Sequence, residues 1–149
     1  MTDINFYHLT VFPLEKALPK LVEKVLSSGA RAVVLTDSKA SMKEIDHMLW
    51  SYQDDSFLPH GTMDDPFPTE QPVYITIAND NPGNASFLVT TYGAESSDIA
   101  AYERCLDLFN GNDDKELQQA RKRWKQYKDS GHMVSYFKQN SSGGWVKEA

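Results

Sequence analysis

A chain of 149 residues with 40% hydrophobic content is long enough for one domain with a proper core. Its formal net charge of −6 argues against broad, sequence-independent binding to nucleic acid, which depends on neutralising phosphates, but leaves room for a local basic groove. The single cysteine, Cys105, excludes an internal disulfide and makes a reducing compartment the expectation. The opening residues MTDINFYHL lack the basic n-region and apolar run of a secretory signal, and no stretch approaches the roughly 20 apolar residues of a membrane span. A soluble, cytoplasmic protein with no membrane contact is expected.

The first strand is expected over Ile4 to Leu9, where apolar and polar residues alternate. Phe12-Pro13 breaks the chain. Leu14, Leu18, Leu21, Val22, Val25 and Leu26 then recur at helical spacing and predict an amphipathic helix ending near Ser28-Gly29. Pro19 either marks the true start of that helix or kinks it. Ala30 to Leu35 is a continuous apolar run, the pattern of a strand buried on both faces of a parallel sheet. These segments form a strand-helix-strand unit with a right-handed crossover. A second helix is expected over Lys39 to Trp50. Gln53 to Pro72 is rich in Asp, Pro, Gly and His without a steady period, and reads as a long loop of the kind that often has a function.

Strands are expected at Val73 to Ala78 and Phe87 to Thr91, separated by the turn NDNPGN. Ile99, Tyr102, Leu106 and Phe109 predict a helix between Ser96 and Phe109, in which Cys105 is a small core residue rather than a nucleophile. The longest helical pattern, and the densest basic segment, runs from Asp113 to Gly131 (DDKELQQARKRWKQYKDSG). Asp113 is its expected N-cap, Glu116 completes a capping box, and Gly131 suits a left-handed stop. Leu117, Ala120, Trp124 and Tyr127 form the expected buried stripe. Arg121, Lys125 and Lys128 form a row of cations beside Trp124, while Lys122 and Arg123 are expected to face solvent. Such a row suits an anionic ligand; the alternative is an ordinary solvated face. Met133 to Lys138 predicts a strand, Asn140 to Gly144 a turn, and Trp145-Val146 a short returning segment. The order implies one three-layer α/β/α domain over residues 1–149 with a mainly parallel sheet.

Catalytic and cofactor motifs are absent from the sequence. There is no G-x-x-x-x-G-K-[ST] loop and no glycine-rich fingerprint after the first strand, which leads instead into Thr10-Val11-Phe12-Pro13. His8, His47, His60 and His132 form no close pair at metal-ligand spacing, and HGTMDD (His60 to Asp65) reads as a solvated acidic loop, with cation binding as the alternative. No G-x-S-x-G elbow occurs. No cofactor or metal is expected, and a binding module fits better than an enzyme. Trp50, Trp124 and Trp145 are read either as core packing or as interface anchors.

The chain resembles the chi subunit family of bacterial DNA polymerase III over essentially its whole length. The resemblance rests on FYHL (Phe6 to Leu9), Leu49-Trp50, SFLPH (Ser56 to His60), ARKRWKQYKDSGH (Ala120 to His132) and GGW (Gly143 to Trp145). It implies a Rossmann-like α/β fold and a non-catalytic accessory subunit of the clamp-loader complex in the polymerase holoenzyme. It implies binding of the acidic, phenylalanine-ended C-terminal tail of single-stranded-DNA-binding protein, and through it an indirect association with single-stranded DNA. The tail site it implies is Trp50, Arg121, Trp124, Lys125 and Lys128, with Trp50 facing the basic helix. A psi subunit, tethering the chain to the clamp loader, is implied at Phe57. Two other readings remain open from the residues: a nucleotide-dependent enzyme on the same kind of fold, and direct binding of single-stranded nucleic acid by the basic helix.

Overall fold

The computed structural model describes residues 2–52 and 58–149. Strand β1 (Asp3–Leu9) leads through helix α1 (Leu14–Ser27) to β2 (Ala32–Leu35), and α2 (Lys39–Trp50) follows. The chain then forms the short β3 (Gly61–Thr62), β4 (Val73–Thr76), β5 (Phe87–Thr90) and β6 (Arg104–Asn110). Helix α3 (Asp114–Asp129), β7 (Met133–Gln139) and β8 (Trp145–Lys147) complete it. Among the described residues, the eight strands form one sheet in the order β3-β4-β2-β5-β6-β1-β7-β8. Every neighbouring pair is parallel except β7 and β8, which run antiparallel. No helix among the described residues is long and apolar enough to cross a membrane.

Two apolar clusters divide the molecule by sheet face. Val34, Val73, Ile75, Val89, Leu106 and Leu108 point to one side, where α1 covers them with Leu18, Leu21, Val22 and Val25, and α2 with Met42, Ile45 and Leu49. Ile4, Phe6, Val33, Leu35, Leu88, Cys105 and Phe109 point to the other side, where α3 supplies Ala120 and Tyr127. Alternation along each strand sends successive side chains to opposite faces, and both faces are covered. Strand β2 is therefore apolar without a break.

This double coverage explains the main difference from the sequence-based expectation. Residues 104–110 are not helical but form β6, which pairs with β1 on one side and β5 on the other. Only Ile99–Ala101, a single 3-10 turn, is helical between Ser96 and Phe109. Leu106 and Phe109 match a helical period by coincidence, because a strand buried on both faces shows no period of its own. Cys105 is buried, as expected, but in a strand. The 53–72 segment contains one more small strand, β3, whose Gly61 and Thr62 pair with Tyr74 and Ile75. Helix α1 begins at Leu14 and runs on through the buried Pro19, which leaves the Glu15 carbonyl without its usual helical donor.

Candidate functional site

Helix α3 is set in place at both ends by its own sequence. The Asp113 carboxylate accepts hydrogen bonds from the backbone N–H groups of Lys115 (2.9 Å) and Glu116 (3.2 Å), the geometry of an N-cap. The Glu116 side chain does not close a capping box; it accepts from the Asn110 N–H at 3.4 Å instead. At the other end Gly131 takes a φ of +89°, and the His132 N–H donates to the Tyr127 carbonyl while that of Gly131 donates to Lys128. These two bonds make a Schellman stop, which needs the left-handed residue glycine supplies.

The helix is fastened to the sheet by a buried ion pair. Arg123 donates from Nε and Nη2 to the two Asp107 oxygens at 2.8 and 2.9 Å, with both residues buried. The expectation of a solvent-facing Arg123 is thus overturned. Ala120, Arg123 and Tyr127 follow the same inward stripe, and Asp107, on the α3 side of β6, meets the guanidinium there. Burial pushes the Asp107 carboxyl up, and the two bonds from Arg123 oppose that shift.

With Arg123 turned inward, Arg121, Lys125 and Lys128 remain exposed. Trp124 is partly buried between the helix and β7. Its ring stands 5.7 Å from Phe6 and 5.7 Å from Tyr136, edge-on to both. Tyr136 hydrogen-bonds through its hydroxyl to His8 Nδ1. The His8 pKa is lowered by burial and by the charges of Lys138 and, more weakly, Arg121. Lys138 lies two residues beyond Tyr136, hence on the same face of β7, and Arg121 lies one turn before Trp124. The result is a ledge along α3 and β7: an aromatic step of Trp124 and Tyr136 with Arg121, Lys125, Lys128 and Lys138 around it. His8, Tyr136 and Lys138 are not singled out by the sequence, because nothing in a strand pattern says which helix will lie over it.

Trp50 is not brought to this ledge. It ends α2, whose core residues belong to the cluster on the opposite sheet face, and its exposed ring stands 4.8 Å from that of His60. His60 is itself held by the Leu58 carbonyl (2.6 Å, Nδ1) and by Asp46 (3.0 Å, Nε2). Phe57 lies outside the described residues. In the HGTMDD segment, Lys39 pairs with Asp64 at 2.7 Å, and Asp65 accepts from the Thr62 N–H at 2.8 Å. Those two carboxylates are engaged within the protein rather than aimed at a common point.

The family profile of the DNA polymerase III chi subunit (HolC) matches residues 1–135. A protein of Rickettsia prowazekii (strain Madrid E), named "Probable DNA polymerase III subunit chi", is 33% identical over 109 residues, or 73% of this chain and 66% of that protein. The ARKRWKQYKDSG segment that forms the ledge falls inside the region matched by the profile. On these two comparisons, the chain belongs to the DNA polymerase III chi subunit family.

Proposed function

We propose that this chain is a non-catalytic accessory subunit of the clamp-loader complex, acting in the cytoplasm as one Rossmann-like domain. Its α3–β7 ledge binds the acidic C-terminal tail of single-stranded-DNA-binding protein. The observation that carries this reading is the placement of Trp124 between the exposed Arg121 and Lys125 on one helix face. Such a tail offers aspartates, a terminal carboxylate and a phenylalanine ring. Arg121 suits bidentate capture of a carboxylate, Lys125 and Lys128 act as point charges, and the Trp124 and Tyr136 rings offer an apolar wall. A few charge-assisted bonds plus a buried ring, less the cost of ordering a disordered tail, suggest an affinity on the order of micromolar. Exposed charges make it weaken with salt.

Titration of a synthetic Asp-Ile-Pro-Phe-ended peptide into the full chain tests this. Arg121→Ala and Lys125→Ala are each expected to weaken binding about tenfold, an effect of ~1.4 kcal/mol, with melting temperature unchanged. Unaltered affinity in both variants would overturn the assignment, and a gel shift with bare oligonucleotide would favour direct strand binding instead. Trp50, beside His60 on the other sheet face, would join the tail site only if the peptide reached beyond the ledge, and Phe57 is the contact proposed for a psi subunit or the clamp loader. Trp50→Ala is included in the same titration: a loss of tail affinity would return Trp50 to the tail site.

A further inference from the structure

We propose that the crevice at the carboxyl ends of β1 and β6 is a second docking site, for a partner polypeptide segment that presents a lysine or arginine from an apolar stretch. The topology creates the gap. β1 and β6 are parallel neighbours, yet β1 continues into α1 on one face of the sheet and β6 into α3 on the other. Chains leaving adjacent strands in opposite directions leave a space outside the strand ends, and this is where open α/β sheets bind their ligands. Here that space is a cavity of about 660 Å³, within the usual size range of binding pockets.

Its chemistry defines the occupant. Leu9, Leu108 and Phe109 form the floor, and Val11, Phe12 and Met48 extend the apolar wall. Val11 is 44% exposed, so part of this apolar surface stands in water. Three different helices each contribute one carboxylate to the lining: Glu15 from α1, Glu44 from α2 and Glu116 from α3. No lysine or arginine is among the described residues that line it. Glu44 accepts from the Tyr92 hydroxyl at 3.3 Å and Glu116 from the Asn110 N–H at 3.4 Å, so two of the three carboxylates are held in place. His47 also lines the crevice, and an adjoining cavity that shares Phe12, Glu15, His47 and Met48 with it is lined by Lys16 and Lys20, whose ammonium groups lie 5.4 and 6.0 Å from the centre of the Phe12 ring at the rim. A nucleotide, which this position in an α/β sheet otherwise suggests, would bring phosphates against three carboxylates. A cation is favoured there, and the apolar floor calls for more than a bare amine. A basic side chain flanked by apolar neighbours satisfies both. A polypeptide source agrees with membership of a family of polymerase subunits. The site is opposite in charge to the α3–β7 ledge and does not depend on the tail reading.

The test uses the full chain, isotopically labelled, and two blocked peptides, acetyl-Leu-Arg-Phe-amide and acetyl-Leu-Gln-Phe-amide. Amide shifts on addition of the arginine peptide are expected at Thr10, Val11, Asn110 and Asn112, with binding at least tenfold tighter than for the glutamine peptide. Glu44→Gln and Glu15→Gln are each expected to weaken the arginine peptide severalfold, while the acidic tail peptide binds as before. Equal binding of the two peptides, shifts confined to other surfaces, or no binding of either would overturn the proposal. So would equal displacement by spermidine, which would identify the crevice as a site for free organic cations.

Discussion

Arg121 and Arg123 are two positions apart on one helix and have opposite fates. Arg121 stands in solvent, while Arg123 is sealed against Asp107. Composition alone assigns both to the surface, because an arginine is rarely buried without a partner. Asp107 stands alone as a carboxylate inside the apolar run CLDLF, but only the fold brings Arg123 to it. A buried pair of this kind is worth little compared with an apolar substitute, but breaking it strands a charge. Arg123→Leu is therefore expected to cost ~3–5 kcal/mol in urea unfolding, and the double variant Asp107→Leu/Arg123→Leu to be more stable than Arg123→Leu alone. A double variant no more stable than the single one would show that the pair does more than neutralise a charge. His8 supports a second prediction. Burial and the nearby Lys138 lower its pKa from 6.5, so between that value and the lower folded one the unfolded chain binds the extra proton. The stability it contributes is complete above about pH 6.5 and falls as the pH drops below it. His8 is expected to titrate below pH 6.5 by NMR, and His8→Gln to flatten the melting temperature between pH 7 and pH 5.

At the scale of elements, the sequence was most informative where local chemistry decides the outcome. The N-cap Asp113, the stop at Gly131 and the 3.6-residue period between them all belong to the chain itself, so α3 was legible to within a residue at its start and two at its end. Asp113→Ala is expected to cost about 1 kcal/mol, seen as a fall of about 3 °C in melting temperature, because two backbone donors lose their acceptor. A loss near zero would mean that packing through Arg123, rather than the cap, sets where the helix begins. β6 shows the opposite case. Its side chains alternate between two covered faces, so between Arg104 and Asn110 its pattern is apolar, broken only by Asp107, and lacks the period that identifies an element locally. β3 is shorter still. Its two residues are a strand only because β4 lies beside them.

For the whole molecule, net charge conceals a division. The chain is acidic overall, yet the α3–β7 ledge gathers Arg121, Lys125, Lys128 and Lys138, and the crevice between β1 and β6 gathers Glu15, Glu44 and Glu116. The two lie at different places because α1 and α3 leave the sheet on opposite faces. By itself, the sequence determined the α/β class, the mainly parallel sheet and the basic face of α3, with Arg121, Trp124 and Lys125 on it. These follow from periods, caps and charges that act over a few residues. Only the tertiary structure decided that 104–110 is a central strand, that Arg123 turns inward, that Trp50 stands on the far side from Trp124, and that Tyr136 and Lys138 join the ledge. Each of those depends on which strand lies beside which. Strand order brings together residues that sit far apart in the chain, and no local pattern records that pairing.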